Sequence, residues 1–412
     1  MKAYLRAIII VVPLIITSFS ISPMNELAIA NDNDTLSLLW SRFDGHNATM
    51  WSVRWSPDNS MISSAFFDNT TVIWNSTTGE RIVKLGSHEN YTRDPRTRCD
   101  GITNCQIPTH VPTRITAWTP DGKYLLTGGD ETNIYIFETK NWTPVRILKD
   151  HEGSVLTMEF SSDGKYLASG SGTDKVSMHN VPENLIKIWD FENGFTIANL
   201  TGHKDSVLEI KWSPDGSKLV SASDDKTLKI WDTYTWMNIK NFSGHAGGVL
   251  SVDWSPDGEK LVTGSRDYKI RLWNSTTGES LNVWQAPNCV RSVDWHANGE
   301  IIATSGVAEV YVMIRNSTTG SIIQTLDDNR DSTGPVGGIP SSRWSPDGNM
   351  LATASGKDFA IRVYAWGIAG PSSVSAIPSW LLGLVVFLIV IVVACWLTTI
   401  TIFKQSKIAE RR

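Results

Sequence analysis

The sequence predicts an all-β protein, a seven-bladed β-propeller closed by an N-terminal strand, with one C-terminal transmembrane helix. Three observations carry this. The phrase Trp-Ser-Pro-Asp-Gly or a close relative recurs seven times, starting at Trp55, Trp118, Phe160, Trp212, Trp254, Trp295 and Trp344, at spacings of 63, 42, 52, 42, 41 and 49 residues. A base period near 42 suits four-stranded propeller blades better than helical solenoid units, which are mostly shorter and read with a 3.6-residue period. Within one period, Val207 to Trp212 alternates apolar and polar, a Pro-Asp-Gly turn follows, and two more short strands end at Trp231, the pattern of strands joined by tight turns. Near the other end, Trp380 to Phe403 is a run of 24 residues without a charge.

Composition bounds the function. Of 412 residues, 41% are hydrophobic and 19% charged, a mixture that folds rather than staying disordered. The balance of 37 Lys+Arg against 42 Asp+Glu gives a net charge of -5, which argues against nucleic acid as a partner, since that affinity rests on neutralising phosphates. The 18 tryptophans ask for a repeated structural use.

Taken in chain order, residues 1–30 read as a signal peptide: Lys2 and Arg6 precede an uncharged stretch, and Ala28-Ile29-Ala30 offers a small-x-small cleavage site. An uncleaved anchor is the alternative, because Pro13 and several hydroxyl residues interrupt the apolar run. Residues 34–366 form the propeller. Thr35 to Trp40 is an apolar strand with no blade before it, and the seventh repeat ends after its third strand. Residues 35–40 therefore complete the seventh blade and remove its exposed edge. Residues 367–379 are a stalk. Trp380–Phe403 is long enough, at about 1.5 Å per helical residue, to cross a hydrocarbon layer of about 30 Å. Lys404, Lys407, Arg411 and Arg412 follow it in the tail of residues 404–412, which places that end in the cytoplasm. The propeller is then extracellular, on a single-pass type I plasma-membrane protein.

Sequons at Asn47, Asn69, Asn90, Asn141, Asn199 and Asn241 fit a glycoprotein of that topology. Asn33 and the three Asn-Ser-Thr-Thr-Gly segments starting at Asn75, Asn274 and Asn316 also match, but in those three segments turn chemistry explains the residues equally well. Cys99 and Cys105 bracket a short loop and suit a disulfide in an oxidising compartment. No second Cys or His pair has ligand spacing around them, so no metal is expected, and no phosphate-binding glycine loop points to a cofactor.

Gly202-His203, Trp212-Ser-Pro-Asp-Gly216, Ser221, Asp225 and Trp231-Asp232 together resemble the WD40 repeat of β-propeller proteins. The resemblance covers about four-fifths of the chain, from Asp34 to Trp366. It implies that a His, a Ser or Thr, an Asp and a Trp hydrogen-bond within a blade. The matching sets here are His46, Ser64, Asp68 and Trp74; His203, Ser221, Asp225 and Trp231; and His245, Thr263, Asp267 and Trp273. A His-Ser-Asp constellation mimics a hydrolase triad, yet one nucleophile suffices for an enzyme and this set recurs, so it reads as a staple. The second repeat ends in Tyr135-Ile-Phe137 without Trp-Asp, and the sixth and seventh lack Gly-His, with Asn298-Gly299 and Arg315-Asn316 as weak relics in the sixth; these blades should be stapled less well.

Insertions against the base period fall at 87–112, 171–184 and 327–340. Strand order within a blade puts all three on one face, and loops on a rigid scaffold gather binding residues. The largest carries Tyr91, Arg93, Arg96 and Arg98, suited to carboxylate, sulfate or phosphate groups on a partner; a solvated loop is the bland alternative. The resemblance further implies that positions four and six residues before the motif Trp, and the one before the loop Asp, line the channel mouth on that face. These include Trp51, Phe67, Arg114, Leu156, Leu208, Leu250, Arg266 and Arg291. Exposed, the aromatic residues and Arg114 have the composition of an interface hot spot; packed under the insertions, they are core. The sequence therefore predicts a monomeric ring that acts as a cell-surface interaction or receptor scaffold for a protein or a surface glycan, and not as an enzyme. An extracellular enzyme for an anionic substrate at the mouth and a structural envelope component are the rival readings.

Overall fold

The computed structural model describes residues 35–43, 48–86, 112–130, 132–172, 183–306, 311–327, 338–356 and 358–366. They form 28 strands in seven four-stranded antiparallel sheets, with no helix among the described residues. The first strand, β1 (Leu36–Arg42), pairs with Ile361–Trp366 as the outer strand of blade 7. Blade 1 follows as β2 (Met50–Trp55), β3 (Met61–Phe66), β4 (Thr71–Asn75) and β5 (Arg81–Leu85), in chain order from channel to rim. Blades 2 to 6 repeat this order, and blade 7 takes its inner three strands from the C-terminal end of the ring. The strand that precedes each Gly-His, such as Phe195–Leu200, belongs to the preceding blade. Each sequence repeat therefore straddles two blades and ties neighbours together.

The Trp-Ser-Pro-Asp-Gly phrase is the turn between the inner two strands. In blade 1, Ser56 Oγ donates to Asp58 Oδ1 at 2.6 Å and accepts from Met61 N at 2.9 Å, while Asp58 Oδ1 also accepts from Ser60 N at 3.0 Å. The fifth position has positive φ in every blade: 70° at Gly216, and 61° at Asn59, which replaces it in blade 1. That conformation is open to glycine at no steric cost and to asparagine at little.

The tryptophans serve as blade-to-blade ties. The indole N–H of Trp55 donates to the backbone oxygen of Arg343 at 2.9 Å, across the seam between blades 1 and 7. Trp212 and Trp254 reach back in the same way to Glu159 and Lys211, both at 3.2 Å. Each of these three indoles buries a large apolar area between sheets and satisfies its one donor on the neighbour. The latch has its own clasp: Gln324 accepts from Leu36 N at 2.9 Å and donates to Leu36 O at 2.7 Å, joining blade 6 to β1. On the other side, buried Trp40 donates to Ser76 O of blade 1 at 2.7 Å.

Candidate functional site

Six inner strands carry a register break at the position four residues before the motif Trp or Phe. The pairing skips from Met50 to Ser52, from Thr113 to Ile115, from Val155 to Thr157, from Val207 to Glu209, from Val249 to Ser251 and from Val290 to Ser292. A bulge leaves one residue unpaired and re-aims its side chain. The six skipped residues, Trp51, Arg114, Leu156, Leu208, Leu250 and Arg291, all line one cavity of about 900 Å³ at the channel mouth, with Pro340 from blade 7. The insertions enter and leave the ring on this face, next to Thr113, Gly172 and Ser341. The mouth is therefore divided by chemistry. Blades 3 to 5 contribute an arc of three leucines, and blades 6, 1 and 2 contribute Arg291, Trp51 and Arg114.

Trp51 sits between two guanidinium groups. The Cζ of Arg291 lies 4.3 Å and that of Arg114 4.9 Å from its ring centre, and the Phe67 ring is 6.3 Å away. Such stacking favours the charged form over a ring face. Arg114 is also paired with Asp130, through Nε to Oδ1 and through Nη2 to Oδ2 at 2.9 Å. Arg266 is paired with Asp224 of the adjacent blade at 2.9 and 3.4 Å. Arg291 has neither a carboxylate nor a hydrogen-bond partner among the described residues. Burial and then the charges of Arg114 and Arg266 push its pKa down to about 10.

The floor of the mouth is ionic. Glu209 replaces the small Ser or Thr of the corresponding position in most other blades, and its carboxylate accepts from Arg343 Nη2, from Ser251 Oγ and, at 3.1 Å, from Val252 N. Below it, on the opposite face, Glu159, Lys211 and Asp294 line a cavity of about 310 Å³. Nearby, burial and the charge of Asp294 raise the carboxyl of Asp253 to about 7, against the opposing charge of Lys211.

The staples are buried relays. In blade 4, Trp231 Nε1 donates to Ser221 Oγ at 2.9 Å, Ser221 donates to His203 Nε2 at 2.8 Å, and His203 Nδ1 donates to Asp225 at 2.8 Å. Blade 5 repeats this with Trp273, Thr263, His245 and Asp267. In blade 1, Trp74 donates to Ser64 at 2.8 Å and Asp68 accepts from Thr70 at 2.6 Å; His46 lies outside the described residues. Blade 3 holds a complete set that the sequence reading missed. His151 bonds Glu183 at 2.9 Å and Ser169 at 2.6 Å, and Trp189 donates to Ser169 at 2.8 Å. Asp150 stands where the other sets have Gly, and the 171–184 insertion changes the spacing to the acid. The Lys187-Ile-Trp189-Asp190 ending was the available signal. The hydroxyls of Ser169, Ser221 and Thr263 belong to fully buried residues, out of reach of a substrate.

Two expectations are corrected or narrowed. Arg114 is buried and paired with Asp130, with its Cζ 4.9 Å from the centre of the Trp51 ring, so it is not the exposed hot-spot cation that the sequence suggests. Asn69 is fully enclosed, with a positive φ and its amide nitrogen shut away from solvent, so a glycan on it does not fit the closed ring. Acids stand beside the arginines on the mouth side: Asp224 pairs with Arg266, Asp130 with Arg114, and Glu209 forms the floor. Asn75, Asn274 and Asn316 each cap two following backbone amides, as the turn chemistry predicts. Asn141, Asn199 and Asn241 are exposed. Asn47, Asn90, Tyr91, Arg93, Arg96, Arg98, Cys99, Cys105 and Trp380–Phe403 lie outside the described residues.

A family model described as WD domain, G-beta repeat matches residues 36–75, 103–138, 142–190, 194–232, 236–274 and 320–365, more than half of the chain. The chain belongs to the WD40 repeat family. Much of blade 6 lies between the matched segments. There Arg315 occupies the staple Trp position and donates to Thr304 at 3.3 Å. Curated WD40 relatives include Protein FIZZY-RELATED 3 of Arabidopsis thaliana, 27% identical over 45% of this chain and 50% of that protein. The B-type cell cycle switch protein ccs52B of Medicago truncatula is 25% identical over 43% of this chain and 48% of its own length. Transcription initiation factor TFIID subunit 5 of Caenorhabditis elegans is 24% identical over 44% of this chain and 23% of its own. The matched region thus spans half or less of the length of these WD40 relatives.

Proposed function

We propose that this WD40 protein is a non-enzymatic interaction scaffold that holds a protein partner at the channel mouth and the surrounding insertions. The observation that carries this is the half-buried Trp51 between Arg114 and Arg291, beside exposed Phe67, at the opening of the larger cavity. Trp and Arg are enriched among residues that dominate binding energy, and a rigid ring holds them without an ordering cost on binding. A scaffold fits better than an enzyme because Asp130 and Asp224 are both engaged by arginines, whereas a general acid or base needs a free carboxyl within reach of substrate. The relatives' names, a cell cycle switch protein and a transcription initiation factor subunit, agree with a scaffold.

The proposal extends to a cell-surface setting, which rests on the charge pattern of residues 1–30 and 380–412. In that setting the stalk of residues 367–379 holds the ring near the bilayer with the mouth outward. The test is capture from membrane extract by the detergent-solubilised full chain beside its Trp51→Ala variant. A partner held by the first and lost by the second, with equal melting temperatures, is expected. The same partner on both baits would move the site to the opposite face or the rim. Protease accessibility of the propeller on intact cells tests the location separately.

A further inference from the structure

We infer that the mouth recognises an acidic side chain of the partner flanked by an aliphatic or aromatic residue, the carboxylate lying against Arg291 and its neighbour on the leucine arc. This rests on the reading of the mouth as the partner site. The charge arithmetic points to a carboxylate. Of the five arginines that line the cavity, Arg114 has Asp130, Arg266 has Asp224, and Arg54 and Arg343 share Glu209. Arg291 is stacked on Trp51 without an anion among the described residues. A half-buried cation without a counter-charge costs desolvation that an incoming anion recovers.

Arg291 is thus the one arginine of the cavity that faces no carboxylate among the described residues, and a single unmatched guanidinium suits one carboxylate. A phosphate dianion or a polyanion would meet the carboxylates of Asp130, Asp224 and Glu209 around the same opening. With its Cζ 4.3 Å from the centre of the Trp51 ring and no hydrogen bond among the described residues, the guanidinium keeps its N–H donors for two parallel hydrogen bonds, the geometry a carboxylate matches. Leu156 and Leu208 of blades 3 and 4 line the same cavity away from blade 6 and offer an apolar surface, so they select an apolar neighbour in the partner.

The experiment pans a random heptapeptide library, with phosphoserine included among the residues, on the immobilised full chain, on Arg291→Gln and on Arg291→Lys. On the native chain, Asp or Glu next to Leu, Ile or Phe should be enriched, and selected peptides should bind Arg291→Gln about tenfold or more weakly. Arg291→Lys should keep the preference for acid with weaker binding, having the charge without the fork. Circular dichroism melts of all three chains check the fold. Pools without acidic enrichment, pools dominated by phosphoserine, or the same pool from native and Arg291→Gln baits overturn the inference. Partner capture lost in Trp51→Ala but unchanged in Arg291→Gln would sink this inference while leaving the mouth as the partner site; capture unchanged in both would sink the mouth reading itself.

Discussion

Glu209 on the inner strand of blade 4 accepts a hydrogen bond from Arg343 on the inner strand of blade 7, directly across the channel. The pair lies more than a hundred residues apart in sequence, and Arg54 of blade 1 is a second cation 3.9 Å from the same carboxylate. A buried carboxylate is expensive unless paired, and here two arginines and two hydrogen-bond donors satisfy it. The strut joins the middle of the chain to the seam where the ring closes. Glu209→Ala should destabilise the ring by about 3 to 5 kcal/mol, since it strands Arg343. Urea unfolding of Glu209→Ala, Arg343→Ala and the double variant checks this, and additive effects would show that the two do not cooperate.

The relay of blade 3 gives a second expectation. His151→Ala should cost about 1 to 3 kcal/mol, comparable to His203→Ala in the relay read from sequence. Equal thermal unfolding of native and His151→Ala chains would show that Glu183 is no substitute for the usual Asp.

These relays also make the ring sensitive to acid. His151 and His245 bind protons less readily than a free histidine, whose ordinary value is 6.5, burial being the main cause. The unfolded chain takes up those protons first as pH falls below 6.5, so stability falls with pH. Burial disfavours the charge on Glu183, but the bonds from His151, Gly153 and Glu152 outweigh it and hold its pKa at about 2 against 4.5. That contribution is complete above 4.5 and is lost as pH falls toward 2. Melting temperatures measured from about pH 8 to about pH 4 should drop in the lower half of this range, and His151→Ala should flatten part of the drop.

Asp253 works in the opposite direction. Its folded pKa of about 7 lies above the ordinary 3.8, so its contribution is present below 3.8 and lost as pH rises through 7. Asp253→Asn keeps an acceptor for Trp295 N, now at 2.7 Å from the carboxylate. It should stabilise the protein by the order of 1 kcal/mol above pH 7, with the gain shrinking as pH falls. A gain independent of pH would argue that packing, not charge, is relieved.

The closing strand can be tested through Trp40, which is buried against blade 1 and bonded to Ser76 O. Trp40→Ala should cost about 3 to 5 kcal/mol and expose blade 7 to hydrogen exchange before the other blades. Uniform loss of protection around the ring would mean that the latch is no weaker than the rest of it.

The repeat, the blade count and the latching strand were legible from the sequence because turn residues and two-residue alternation are local signals, seven times repeated. Mouth positions could be carried over for the same reason: each is fixed by its offset from a motif Trp. The Glu183 staple was hidden because an insertion moved the acid away from its usual offset, whereas the weak endings at Phe137 and Arg315 were visible in the sequence, and the register makes them equivalent to the staple Trp. What the tertiary structure alone decided is which charged side chains pair, within a blade, between neighbours and across the ring. Arg114 found Asp130, Arg266 found Asp224, Glu209 found Arg343, and Arg291 was left on Trp51 without an anion among the described residues. Spacing along the chain determines which side chains the bulges aim into the channel. Which of them meet depends on closing seven sheets into a circle, because that alone brings blade 4 opposite blade 7 and blade 6 within reach of blade 1.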